Sequence, residues 1–315
     1  MCFTNGFGPV STGAGMSEQD TVRSPEWGTF GLVLICYSAW LGVVFGLAQV
    51  SLVLAVLAGG VVAALHSSLT HEALHGHPFQ TKWINEALMA LPLTLCIPYN
   101  RFRDLHLAHH LDSNLTDPYD DPETNFQDPV VWASMPRWKR RLYRANNTLL
   151  GRMVLGPLIG QVIFTCDEGL AALRGDRDVL LAWALHLPGV AVVIWVVAQS
   201  AMPIWAFCLS AYLGLAVLKI RTFLEHRAHE KSRCRTVIIE DRGPLAFLFL
   251  NNNFHVVHHM HPKAAWYQLP GLYRAGKARY LECNESYVYR SYADVFRQYF
   301  LKAKDPVPHP LWPRS

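Results

Sequence analysis

Eight of the fifteen histidines fall into three short clusters. They are His71-Glu-Ala-Leu-His75, His106-Leu-Ala-His109-His110 and His255-Val-Val-His258-His259. On a helix, the first cluster sets two imidazoles at i and i+4, and the other two set three at i, i+3 and i+4. Each cluster therefore occupies one helical face. A lone histidine on an apolar face is ordinarily structural, but three clusters with the same facial geometry call for a shared ligand. Neutral imidazoles converging from several helices suit a mid-to-late transition metal, and open coordination positions make such a site catalytic. A zinc ion takes roughly four ligands, so eight or nine imidazoles point to two metal ions.

The elements that must position these clusters are apolar. Charged residues make up 17% of the chain and apolar residues 51%, against roughly 25% charged in a soluble domain. No Asp, Glu, Lys or Arg occurs between Glu26 and Glu72, or between Asp178 and Lys219. Each run is about twice the ~20 residues that cross a bilayer as helix. Weak points at Gln49-Val-Ser51 and Gln199-Ser-Ala-Met-Pro203 divide them into two hairpins, with spans at about 29–48, 51–70, 179–199 and 204–224. The 28 basic residues avoid both tight hairpin turns. By the positive-inside rule both termini, and with them the histidine clusters, face the cytoplasm. The expected fold is an all-α, multi-pass integral membrane protein. Its four transmembrane helices form two hairpins, and a cytoplasmic helical cap (71–178 and 225–304) holds a histidine-rich di-metal site.

Around this domain (27–304) the sequence implies a flexible N-terminal tail over 1–26 and a Pro-rich, extended C-terminal tail over 305–315. The first stretch lacks the pattern of a signal peptide. The seven cysteines are scattered and odd in number, with no C-x-x-C pair, which argues against a disulfide framework or an iron–sulfur site. Basic residues mixed with 24 acids do not describe a nucleic-acid surface. Residues 84–98 are apolar but too short for a span and read as re-entrant or interfacial; residues 149–165 read as an interfacial helix. The basic, aromatic run 137–144 suits lipid headgroups or, alternatively, an acidic redox partner. In the loop from Asp112 to Glu123, one or two carboxylates are expected to accept hydrogen bonds from ligand imidazoles, with Asp117 the chosen candidate. His186, at membrane depth before Pro188, reads as an interhelical hydrogen bond ahead of a functional site.

The order H-x-x-x-H, H-x-x-H-H, H-x-x-H-H over four spans resembles the membrane-bound fatty acid desaturase family, with its related hydroxylases, ketolases and alkane monooxygenases. The likeness extends to the Asp-Pro-rich loop after His110, the Asn251-Asn252-Asn253 approach to His255, and the run His258-His259-x-x-Pro262-x-x-x-Trp266-Tyr267-x-Leu269-Pro270. It covers roughly residues 30–280. The resemblance implies two non-haem irons held by His71, His75, His106, His109, His110, His255, His258 and His259. It also implies a ninth ligand from the inner end of the fourth span. His226, preceded by Glu225, matches that region, with His229 as the alternative. Asn252, Asn253, Glu225, Asp117 and His229 become candidates for holding the ligands in place. His66, His77 and His261 lie off the motif positions and read as structural.

The resemblance further implies O2-dependent oxidation of an unactivated C–H bond in a long apolar chain, with fatty acyl desaturation as the expected outcome. A hydroxylase, ketolase or alkene-forming oxygenase of the same superfamily, acting on lipid, carotenoid or alkane, is the alternative. Such chemistry belongs to the metal, because no acid–base side chain removes hydrogen from a methylene at neutral pH. Electrons must come from outside, from a ferredoxin- or cytochrome-type donor with its reductase, since the chain has no dinucleotide fingerprint. A metal-ion transporter is the remote rival. It would need polar ligands near the bilayer midplane, whereas the clusters lie at the inner ends of the spans and in the cytoplasmic segments, and the spans carry no charge.

Overall fold

A computed structural model describes residues 24–111 and 115–312. Most of the tail expected over 1–26, and the residues beyond 312, lie outside the described residues. Helix α1 (Trp27–Val50) contains a π-helical stretch at Gly42–Leu47. It ends at the expected weak point: Ser51 is extended (φ −156°, ψ 114°), and its side chain accepts the Leu54 N–H to cap α2 (Leu52–Leu74), as serine does at N-caps. Helices α3 (Lys82–Leu88) and α4 (Tyr99–Leu111) follow, then α5 (Pro129–Ser134), α6 (Arg137–Asn146) and α7 (Leu149–Leu173). The second hairpin is α8 (Arg177–Ala198), capped by the Asp176 carboxylate, and α9 (Ile204–Thr222), which starts directly after Pro203.

Helices α2 and α9 form the central pair, and small residues set their separation. Gly59 lies over Ser210, whose hydroxyl donates to the Val56 carbonyl at 3.0 Å. A Cβ on Gly214 would fall 2.7 Å from the Ala63 Cβ and 3.0 Å from the Gly60 carbonyl oxygen. Gly214→Leu is therefore expected to wedge the pair apart and cost about 1–3 kcal/mol. Thermal unfolding in detergent checks this; an unchanged midpoint would show that the contact is not tight.

The segment after α3 doubles back as irregular chain to Pro98, and side chains from three long helices satisfy its carbonyls. Tyr37 on α1 donates to the Leu91 carbonyl at 3.4 Å, His186 on α8 bonds the Leu95 carbonyl at 3.1 Å, and Gln161 on α7 donates to the Cys96 carbonyl at 3.1 Å. His186 thus makes a structural hydrogen bond. Gly189 leaves room for the Ala90 carbonyl, which a side chain there would strike.

Among the described residues five helices, not four, are long and apolar enough to cross a membrane; the addition is α7. Only part of it was expected, as an interfacial helix, yet it continues to Leu173 through Pro157. Both of its ends are tied down. At the start, the Leu150 N–H donates to the Phe300 carbonyl at 3.0 Å. Towards the end, Glu168 pairs with Arg101 of α4 at 2.9 Å and accepts from Trp183 of α8 at 3.1 Å.

Beyond α9 the chain forms α10 (Pro244–Leu248), α11 (His255–Met260), α12 (Leu269–Cys283) and α13 (Tyr292–Tyr299). Among the described residues a minimal parallel sheet, β1 (Ile238–Ile239) with β2 (Val288–Tyr289), departs from an all-helical fold. The Pro-rich segment lies against the acidic loop: the Gln127 N–H donates to the Val307 carbonyl at 2.9 Å, and buried His309 lies 3.1 Å from the Thr116 hydroxyl.

Candidate metal centre

The tight α2–α9 pair brings the ends of both hairpins together. His71 and His75 arrive at the C-terminal end of α2, and His226 follows α9. Helix α4 presents His106, His109 and His110 on one face, and α11 presents His255, His258 and His259. The approach to α11 is held by its asparagines. Asn251, at φ 57°, donates to the Trp266 carbonyl at 3.1 Å. Asn253 donates to the carbonyls of Ile239 and Asp241 at 2.6 and 3.0 Å.

The imidazoles sort into two groups of four, His71 with His75, His106 and His258, and His109 with His226, His255 and His259. Within each group the ligand atoms lie within 4.8 Å of one another. His110 sits with the first: its Nε2 is 3.0 Å from that of His106 and 3.1 Å from that of His258, while its ring stacks on His259. In the second group, the Nε2 atoms of His109 and His226 are 2.9 Å apart, and those of His226 and His255 are 3.2 Å apart.

Tautomers show what these short separations mean. A carboxylate only accepts, so His106 donates its Nδ1–H to Glu123 at 2.7 Å and His109 donates its own to Asp121 at 2.8 Å. His255 Nδ1 likewise faces the Asn252 amide oxygen at 3.2 Å. The neutral form of each ring then turns a lone pair on Nε2 inward. Neighbouring nitrogens on one metal at about 2.1 Å would lie roughly 3 Å apart at a right angle. The observed spacings are those of coordination edges. His71 Nε2 is buried without a hydrogen-bond partner among the described residues, as a nitrogen reserved for a metal would be.

Electrostatics agree with that reading. Burial and neighbouring cationic imidazoles push His75, His226, His255, His258 and His259 well below the ordinary histidine value, and His110 down to about 2, so they stay neutral. His109 is the exception. Burial pushes it down, but Glu123 and Asp121 outweigh that and raise it to about 9. Burial likewise pushes Glu123 up, but His109 and His106 hold it well below the carboxylate range.

The other candidates are placed as follows. Glu225 pairs with Arg221 at 3.0 Å, accepts from Asn252 at 3.2 Å and lies 3.9 Å from His255 Nδ1, forming a chain of contacts to that ring. Asp117 accepts the N–H groups of Tyr119 and Asp120 at 2.9 and 3.1 Å and closes its own turn; Asp121 and Glu123 are the acids that meet imidazoles. His229 stands apart with Glu285 and Cys234. His66 meets Tyr37, His77 meets Glu26, and His261 meets Tyr280, all outside the two groups. The sequence reading passed over Glu72, whose carboxylate accepts the Trp266 N–H at 3.2 Å and ties the first cluster to the segment after the third. Its position inside His71-Glu72-Ala-Leu-His75 was the available signal.

Apolar helices of membrane-spanning length, with two histidine groups that could each hold a metal ion, are the features of a membrane protein with a candidate metal centre. The family model described as fatty acid desaturase matches residues 48–292. The chain belongs to the fatty acid desaturase family, and so to a family of oxidoreductases. No curated protein matches it.

Proposed function

We propose that this chain is a di-iron, O2-dependent oxidoreductase that attacks an unactivated C–H bond in a long apolar chain and desaturates a fatty acyl group. The observation that carries this reading is the pair of histidine groups, which are similar in composition and joined by His110 against His259. The donor set is wholly imidazole, which suits iron among other transition metals. His71, His75, His106, His110 and His258 would hold one ion, and His109, His226, His255 and His259 the other. When bound, iron supplies the one-electron and O2 chemistry that no side chain of the chain provides. The protein's part is orientation. Glu123, Asp121 and Asn252 orient His106, His109 and His255 through their Nδ1 atoms, and most of the rings are buried.

We further propose four spans, α1, α2, α8 and α9, with α7 lying along the membrane face that bears the histidines. One end of α7 contacts the segment after α13, and its other end contacts α4 and the start of α8. Those elements share the side of the hairpins where His71 and His226 emerge, and a spanning helix cannot have both ends there. The charge distribution makes that side cytoplasmic, together with both termini. A ferredoxin- or cytochrome-type donor with its reductase then reaches the irons from the cytoplasm, and an acyl lipid or fatty acid enters from the bilayer.

Lipid analysis of a host expressing the chain tests the reaction. New double bonds are expected. New hydroxyl or keto groups would move the assignment to an oxygenase of the same superfamily, and an unchanged lipid profile with iron-loaded protein and a working donor would overturn it.

A further inference from the structure

The inner ends of α7 and α9 hold two cations that the metal centre does not use. Arg152 is 5% exposed. Its guanidinium carries five N–H donors, of which Nε donates to the Asn146 carbonyl at 2.9 Å, and the group lies 5.9 Å from the Phe223 ring centroid. Lys219 is partly buried on the facing side of α9. Neither residue has a carboxylate partner among the described residues. The neighbouring cations differ: Arg221 pairs with Glu225, and Lys304 with Asp305. The nearby acids are already committed, Glu123 to His106 and Glu225 to Arg221 and Asn252.

The two side chains meet at a notch. A Cβ on Gly156 would lie 3.0 Å from Arg152 Cδ, 3.5 Å from Lys219 Cγ and 3.4 Å from Asn146 Oδ1. Gly160, the next glycine on the same face, leaves Lys219 Nζ 3.9 Å from its own Cβ position. Asn146 Oδ1 is buried without a partner among the described residues, and its amide can present nitrogen in place of oxygen by rotation. A buried, unpaired charge is costly unless it is paired and hydrogen-bonded. Two cations, one buried and one half-buried, converge on one glycine notch between apolar helices without a carboxylate partner among the described residues.

We infer that Arg152 and Lys219, with Asn146 beside them, form a binding site for an oxyanion carried on an apolar chain. The group is a carboxylate or a phosphate. Guanidinium offers paired N–H donors to either, and ammonium adds a point charge. The apolar surroundings of the two helices select an anion with a hydrocarbon tail over a free inorganic one. The fatty-carboxylate form of the site rests on the proposed lipid substrate; the phospholipid form does not.

The test uses the full, iron-loaded chain in neutral detergent, with binding as the readout. Hexadecanoate, its methyl ester and phosphatidylglycerol are the probes, followed by native mass spectrometry and by equilibrium binding of the radiolabelled compounds. Wild type is expected to bind hexadecanoate at least tenfold more tightly than the ester, or to retain phosphatidylglycerol. Lys219→Met and Arg152→Met should each lose that binding at least tenfold with iron content unchanged, while Lys219→Arg keeps it. Loss of hexadecanoate binding identifies a fatty carboxylate, and loss of phosphatidylglycerol identifies a phosphate. Anion binding that survives both Met variants, or wild type that prefers neither anion over the ester, overturns the site. Because none of these measurements requires turnover, failure of the oxidation reading would leave them interpretable.

Discussion

His109→Ala and His258→Ala are each expected to abolish oxidation of the lipid chain, by at least about a thousandfold, while the protein still inserts and folds. One substitution opens each histidine group. His258 belongs with His71, His75 and His106, and His109 with His226, His255 and His259. The two ions would act as a unit, so either loss should remove nearly all turnover and the double variant should be little worse than the single ones. Removing His258 relieves the crowding of neutral imidazoles, whereas removing His109 takes the ring partner from buried Asp121 and should also cost some stability. Activity in membranes, measured beside expression level and helical content, checks this. Full activity in either variant would exclude that histidine as a ligand.

The second large effect concerns the acids behind the rings. Asp121→Ala is expected to weaken metal binding at the group containing His109 by about 10–100-fold, the usual consequence of losing a carboxylate behind a ligand histidine. Asp121 has a double role. Its Oδ1 accepts from His109 at 2.8 Å and from the Glu123 N–H at 2.9 Å, and its Oδ2 accepts from the Thr116 N–H at 2.7 Å. Asp121→Asn keeps an acceptor for the ring and should cost less than Asp121→Ala. Glu123→Ala should act on the other group through His106. Chelator competition against the purified variants reads these differences, and equal metal retention in all of them would show that the acids only shape the loop.

The parts of this architecture that could be read from sequence were local. Charge-free runs mark apolar helices because a charge inside a bilayer is expensive, and the break at Ser51 follows from its capping chemistry. Histidine spacing showed which imidazoles share a face, since that depends only on helical period. Other features depended on how distant segments meet. The apolar stretch 149–165 reads as a short interfacial piece, where α7 runs on to Leu173. Asp117, Asp121 and Glu123 are indistinguishable as types; only the path of the loop turns Asp121 and Glu123 toward the rings and leaves Asp117 on its own backbone. His226 and His229 sit three residues apart, and the return of Arg227 to pair with Arg235 by backbone hydrogen bonding separates them. His226 then joins His109, while His229 faces Glu285.

The Nε2 spacings reduce to a statement about stoichiometry. Elemental analysis of the purified, active protein should find two iron atoms per chain, one for each histidine group, with activity rising and falling with iron content. Stoichiometric zinc without iron in active protein would contradict the account, as would full activity with a single iron per chain.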